Sequence, residues 1–148
     1  KLGKAVPPCT TDVVPVYGGD IERFKDFQME LIRNQPHGIS EKALRHLSFN
    51  YGSSIQELLS YADSDASWAK TLAGSDEVLR AEVIHAVRDE MALKLSDIVF
   101  RRTDVGSGEN PGKEALTEAA AIIAAELGWD DARTKQEIQD VEDTYIPA

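Results

Sequence analysis

The 148 residues suffice for one domain with its own core, and a composition of 42% hydrophobic and 28% charged residues is that of an ordinary globular chain, not a disordered or fibrous one. A formal net charge of -10 and a pI of about 4.7 exclude a phosphate-binding surface of clustered Lys and Arg, so neither nucleic acid nor an anionic membrane is an expected partner of this segment. The single cysteine, Cys9, rules out an internal disulfide, and no apolar run approaches the roughly 20 residues of a membrane helix.

Residues 1–19 carry Pro7, Pro8 and Pro15, β-branched residues and Gly18-Gly19, a pattern that predicts an extended arm. Asp20 then offers an N-cap for "IERFKDFQMELIRN", in which Ile21, Phe24, Phe27 and Leu31 recur near helical spacing until Pro36 and Gly38 end the pattern. Ser40 caps a second helix, "EKALRHLSFNY", and Gly52 stands where a left-handed residue is wanted. Ser54 with Glu57 has the spacing of a capping box ahead of "IQELLSYA". Asp63 or Asp65 starts a further turn through Trp68 and Leu72, which Gly74-Ser75-Asp76 closes.

The segment "EVIHAVRDEMALKLSDIVFRRTD" mixes acids and arginines into an apolar helical pattern, and Ser96-Asp97 suggests a bend between residues 93 and 97. "GSGENPG" is a turn, "KEALTEAAAIIAAEL" a strong helix ending at Gly128, and Asp130 or Asp131 the cap of a last helix, "ARTKQEIQDVEDTY". With no strand alternation after the arm, the expected fold is all-α: a single bundle-like domain of six or seven helices preceded by the extended N-terminal arm.

Chemistry has few candidates. Glu82 and His85 have E-x-x-H spacing and Asp89 lies one turn on, but a carboxylate-bridged metal bundle needs a second such pair, and no acid precedes His37 or His46 at that offset. No metal site is expected. Cys9 has no companion cysteine, and the sequence holds no nucleophile elbow or Walker loop; Gly106-x-Gly108 follows no strand. Glu82, Glu90, Arg101 and Arg102 remain. The two acids sit eight residues apart on roughly one helix face, and a bend would let the arginines fold back toward Glu90. They are expected either to form a structural ion-pair network or to contact a neighbouring domain, since an Arg fork suits carboxylates and carbonyls.

Three stretches, "HLSFNYGSSIQELLSYA", "AEVIHAVRDEMALKLSDIVFRRTDVG" and "AAELGWDDARTKQEIQ", together resemble the C-terminal helical domain of FAD-dependent glycerol-3-phosphate dehydrogenases and the related α-glycerophosphate oxidases. The resemblance is carried by His46-Leu47, Tyr51-Gly52, Glu82-Val83, Ala86-Val87-Arg88, Glu90-Met91, Asp97, Arg101-Arg102-Thr103 and Leu127-Gly128-Trp129, in that order. Cys9-Thr10 and Gly18-Gly19-Asp20 are similar to the family's linker, although Val16-Tyr17 stands where it often reads Leu-Pro and Lys94 where it often has Thr.

The resemblance implies a full-length enzyme that oxidises sn-glycerol 3-phosphate to dihydroxyacetone phosphate with FAD and passes electrons to a quinone or to oxygen. It also implies that residues 1–19 link to an N-terminal flavin domain and that residues 20–148 are an accessory domain without catalytic, cofactor or metal residues. Glu82, Glu90, Arg101 and Arg102 would then hold this domain together and seat it near the flavin domain. The chain begins with Lys1, not Met, and is accordingly read as a segment of that longer protein. The flavin domain of the same chain is the expected partner, an oligomer is compatible, and the expected location is cytoplasmic, any membrane contact falling to the rest of the enzyme. The alternative is a freestanding acidic helical module that binds another protein.

Overall fold

The computed structural model describes residue 3 and residues 8–146, and the first part of the predicted arm, residues 1, 2 and 4–7, lies outside them. From residue 8 to α1 (Phe24–Asn34) there is no helix, as the prolines and glycines require, though Val13 and Val14 both bond to Thr10 O in a local turn. α2 (Glu41–Tyr51) follows after a tight turn at Pro36–Gly38, and α3 (Ile55–Ser64) after another at Gly52–Ser54. Beyond a short turn at Ala66–Ala69 come α4 (Arg80–Arg88), the three-residue α5 (Leu95–Asp97), α6 (Lys113–Leu127) and α7 (Asp131–Thr144). Among the described residues the only β pairing is the isolated bridge between Thr71 and Leu79, so the fold is all-α.

Two apolar clusters form the interior. One gathers Leu31, Leu44, Leu47, Ile55 and Leu58 from α1, α2 and α3, with Trp68 packed on its edge; the other gathers Val83, Leu95, Ile98, Leu116, Ile123 and Val141 from α4 onward, with Trp129 on its edge. α4 lies between them. Every residue of α4 from Ala81 to Val87 is buried, and Leu79 and Ala81 serve the first cluster while Val83, Ala86 and Val87 serve the second. The small side chains Ala119 and Ala120 on α6 are buried in the second cluster and allow the close helix approach that larger residues would block.

Several caps stand where the sequence puts them. Ser40 Oγ accepts from Ala43 N, Asp65 from Ser67 N and Asp130 from Arg133 N, while Gly128 ends α6 in a left-handed conformation. Three expectations need correction. α1 starts at Phe24 instead of beside Asp20, because Gly19 N bonds Val16 O and Ile21 N bonds Gly19 O, which spends those residues on turns. Ser54 is no capping box: its hydroxyl donates back to Tyr51 O at 2.6 Å, and Glu57 instead receives the Tyr17 hydroxyl.

The bend in the long segment also falls earlier than expected. α4 stops at Arg88, and Met91 takes a φ of 59° before α5 begins at Leu95. Asp97 does not open a helix; its Oδ2 reaches back to Leu93 N and Lys94 N, both at 3.1 Å, and so ties the entry of α5 from inside its first turn. A π turn, Ile98–Arg102, continues α5 and closes with Thr103 N and Thr103 Oγ1 both on Ile98 O. This turn buries Ile98 and Val99 while leaving Arg101 and Arg102 in solvent.

At the end of α2 the described part of the arm is locked in place. Gly52 has a φ of 53°, and a Cβ there would stand 2.0 Å from Gly18 O, which accepts from Ser53 N at 2.9 Å. Gly18 in turn has a φ of 76°, and its Cβ would meet Tyr51 O at 2.6 Å. Only two glycines let these backbones pass so closely.

Candidate functional site

The densest polar arrangement in the interior is built by α2 and α4. Glu82 sits in the first turn of α4, is 0% exposed, and uses both carboxylate oxygens. Oε1 accepts from Leu79 N at 2.7 Å, which satisfies one free donor at the start of the helix. Oε2 accepts from His46 Nε2 at 2.9 Å and from the Tyr51 hydroxyl at 3.2 Å, both delivered by α2. A buried carboxylate is tolerable only when paired and hydrogen-bonded, and this one is.

Around His46 the charges are acidic. Its Nδ1 lies 3.8 Å from Glu77 Oε2 and 3.7 Å from Asp104 Oδ2, and Asn50 donates to the same Asp104 oxygen at 2.8 Å. Burial pulls the His46 pKa down, but the hydrogen bond and charge of Glu82, then the charges of Asp104 and Glu77, outweigh it and hold the imidazole above its ordinary value. Burial pushes the Tyr51 phenol far above its ordinary value, and the Glu82 and Glu90 carboxylates add to the shift, so it stays a neutral donor. The result ties α2 and α4 to the loops that carry Glu77 and Asp104. Those two residues, with Lys42 and Asn110, also line a cleft of about 330 Å³ on the outer side.

His85 and Glu82, one turn apart on α4, serve different neighbours. His85 is buried against the edges of the Tyr51 and Tyr61 rings, with ring centroids 5.7 and 6.3 Å away. Its Nδ1 is 3.0 Å from Asp89 Oδ2 but lacks the alignment of a hydrogen bond. Asp89 Oδ2 is instead the acceptor for the Tyr61 hydroxyl at 2.6 Å, and burial together with that bond pushes the Tyr61 phenol up to about 12.

The four residues singled out in the sequence are not brought together. Arg101, its side chain 71% exposed, pairs with Asp97 at 2.6 Å one turn back, and Arg102 is exposed with no ion-pair partner among the described residues. Glu90 is half-buried with Oε2 enclosed and unbonded. Neither arginine folds back onto an acid of α4. Glu82 finds its partners on α2, 36 and 31 positions earlier, a pairing that spacing within one helix cannot reveal. The only sequence signal was that His46 and Tyr51 occur in one of the three quoted stretches.

Elsewhere the ion pairs are structural ties. Arg88 forms a two-pronged bond to Glu126, at 2.8 and 2.7 Å, between α4 and α6, and Arg80 reaches Glu118 of α6; a hydrogen bond adds to these ties, Glu137 of α7 accepting from Leu95 N at 2.9 Å. Among the described residues no helix is long and apolar enough to cross a membrane.

Comparison with known proteins follows the same outline. The family model for the C-terminal domain of alpha-glycerophosphate oxidase matches residues 9–134. The chain is similar to glycerol-3-phosphate dehydrogenase 2 of Mycobacterium tuberculosis, 31% identical over 140 residues, covering 90% of this chain and 23% of that protein. It is similar to the mitochondrial glycerol-3-phosphate dehydrogenase of Schizosaccharomyces pombe, 30% identical over 169 positions, covering 98% of this chain and 25% of that protein. It is also similar to the glycerol-3-phosphate dehydrogenase of Synechocystis, 26% identical over 141 residues, covering 94% and 25%. The chain therefore spans about a quarter of the length of these relatives. No solved structure matches. The match over residues 9–134 means that this chain belongs to the family of the C-terminal domain of alpha-glycerophosphate oxidase.

Proposed function

We propose that this chain is the C-terminal accessory domain of a flavoenzyme that oxidises sn-glycerol 3-phosphate to dihydroxyacetone phosphate, with a packing and interdomain role and no chemistry of its own. The observation that carries this reading is the family match over residues 9–134, combined with relatives named as glycerol-3-phosphate dehydrogenases that are about four times longer. In this reading residues 1–19 are the link from the flavin domain and residues 20–148 the accessory domain. Any membrane contact of the whole enzyme falls to the remainder, not to this acidic segment.

The described residues do not fit a flavin site. A dinucleotide pyrophosphate needs a glycine turn between a strand and a helix N-terminus. Here Gly106 follows a π turn, and a Cβ on it would collide with Val99 Cγ1 at 2.5 Å and Tyr145 Oη at 2.6 Å, so its bare backbone faces the protein interior, not an open cradle. In this reading FAD is held by the part of the enzyme outside this chain, and no step of the reaction is assigned to residues here.

Within the chain, Glu82 acts as a structural clamp between α2 and α4. Arg101 and Arg102 are exposed, where contact with the neighbouring domain is open to them, whereas Glu90 is half-buried with its Oε2 enclosed. The test is anaerobic addition of glycerol 3-phosphate to the intact gene product. Bleaching of a bound flavin supports the reading, and an intact protein that carries no flavin, or whose flavin is not reduced, overturns it. The segment purified alone should carry no flavin absorbance.

A further inference from the structure

Single exposed apolar side chains are ordinary, but a contiguous group of large ones calls for a partner. Such a group lies at one end of this molecule. Phe49 on α2 is 72% exposed and packs at 4.9 Å between ring centroids on Phe24, the first residue of α1. Three residues beyond Phe49, the end of α2 meets the arm where Gly18 passes Gly52 and Ser53, and the arm's Val16 and Tyr17 are 79% and 73% exposed beside it.

We infer that the surface formed by Val16, Tyr17, Phe24 and Phe49 docks the remainder of the same polypeptide, upstream of Lys1. This rests on the reading that the chain is the C-terminal part of a longer flavoenzyme. Two observations choose that occupant. The family model is that of a C-terminal domain and the chain covers only 23–25% of its relatives, so the bulk of the protein joins through the arm. The arm is clamped to the domain at Gly18, directly beside the patch, so a body tethered there meets this surface at an effective concentration that a free partner does not have. The facing surface is apolar, because the patch offers rings and an aliphatic side chain where a charged partner would lose its water without compensation.

The test uses the intact enzyme with photoreactive benzoylphenylalanine in place of Phe49. The native side chain is largely exposed and the replacement is also aromatic, so folding is not at risk. A cross-link within one polypeptide to a peptide upstream of Lys1 is the expected result. A cross-link between two copies, a cross-link confined to residues 13–17, or none at all overturns the inference.

A second arm places a protease site after Asp12 in the intact enzyme. The halves should stay together after cleavage, and Phe49→Asp should weaken their association by about tenfold or more. Equal retention overturns the inference. Glycerol 3-phosphate reduction of the flavin is measured in the same preparations. Reduction without the cross-link removes the docking surface and leaves the functional reading standing, and absence of flavin or of its reduction removes both.

Discussion

Glu82 is enclosed by the two apolar clusters, and each of its oxygens receives a donor: Leu79 N on Oε1, His46 and Tyr51 on Oε2. Removing the carboxylate leaves an imidazole, a phenol and a helix-start amide facing a void. Glu82→Ala should therefore cost about 3–5 kcal/mol, whereas Arg101→Ala and Arg102→Ala, on exposed side chains, should each stay within about 0.5 kcal/mol. Urea unfolding of the three variants decides it, and equal losses at all three sites would contradict the geometry. His46 adds a pH signature. Its folded pKa is raised, so its contribution is complete below the unfolded value of about 6.5 and is lost as pH rises through the folded value. The unfolding midpoint should fall on the alkaline side of pH 6.5 in the native chain and should flatten there in His46→Gln. An unchanged slope would assign the effect to another group. The sequence located Glu82 as an acid among core residues but paired it by proximity along the chain. Its true partners depend on how α2 crosses α4, which no periodicity states.

At the scale of elements, capping chemistry was legible where the cap is local and hidden where the chain makes other use of the side chain. Ser40, Asp65, Asp130 and Gly128 act within a few residues of themselves, so their types and positions suffice. Asp20, Ser54 and Glu57 have equally good spacing, but the arm crossing the end of α2 holds Gly19 and Ile21 in turns and brings Tyr17 onto Glu57. That crossing depends on a glycine pair. Gly52→Ala adds a Cβ 2.0 Å from Gly18 O at a positive φ, so the arm must lift or α2 must fray. Limited proteolysis should then cut residues 8–19 of the variant several times faster than in the native chain, and an unchanged rate would show that the arm is not held there. Asp97 makes the complementary case. Burial raises its pKa, but bonds from Leu93 N, Arg101 and Lys94 N lower it further, leaving it below the ordinary carboxylate value. Its stabilisation is thus present above the unfolded value of about 3.9 and is lost as pH falls through the folded one. Asp97→Ala should cost about 1 kcal/mol near neutral pH and little in strong acid.

For the molecule as a whole, the all-α class and the helix order followed from caps and apolar spacing, but the division of the interior into two clusters did not. Sequence pattern shows that a helix has an apolar face; it does not show that α4 is apolar all round because both halves pack on it, with Glu82 and His85 as its buried polar exceptions. This arrangement has a testable consequence for cooperativity. Because α4 contributes to both clusters, neither half can lose it and keep its own core, so damage in one half must be felt by the other. The two tryptophans report the halves separately: Trp68 packs against the first cluster and Trp129 against the second. Leu44→Ala empties a fully buried position in the first cluster and should cost about 2–5 kcal/mol. Placed in Trp68→Phe and Trp129→Phe backgrounds, it should lower the denaturation midpoint seen by Trp129 as much as that seen by Trp68. A shift confined to Trp68 would mean that the halves unfold independently and that α4 stays with the second cluster when the first opens.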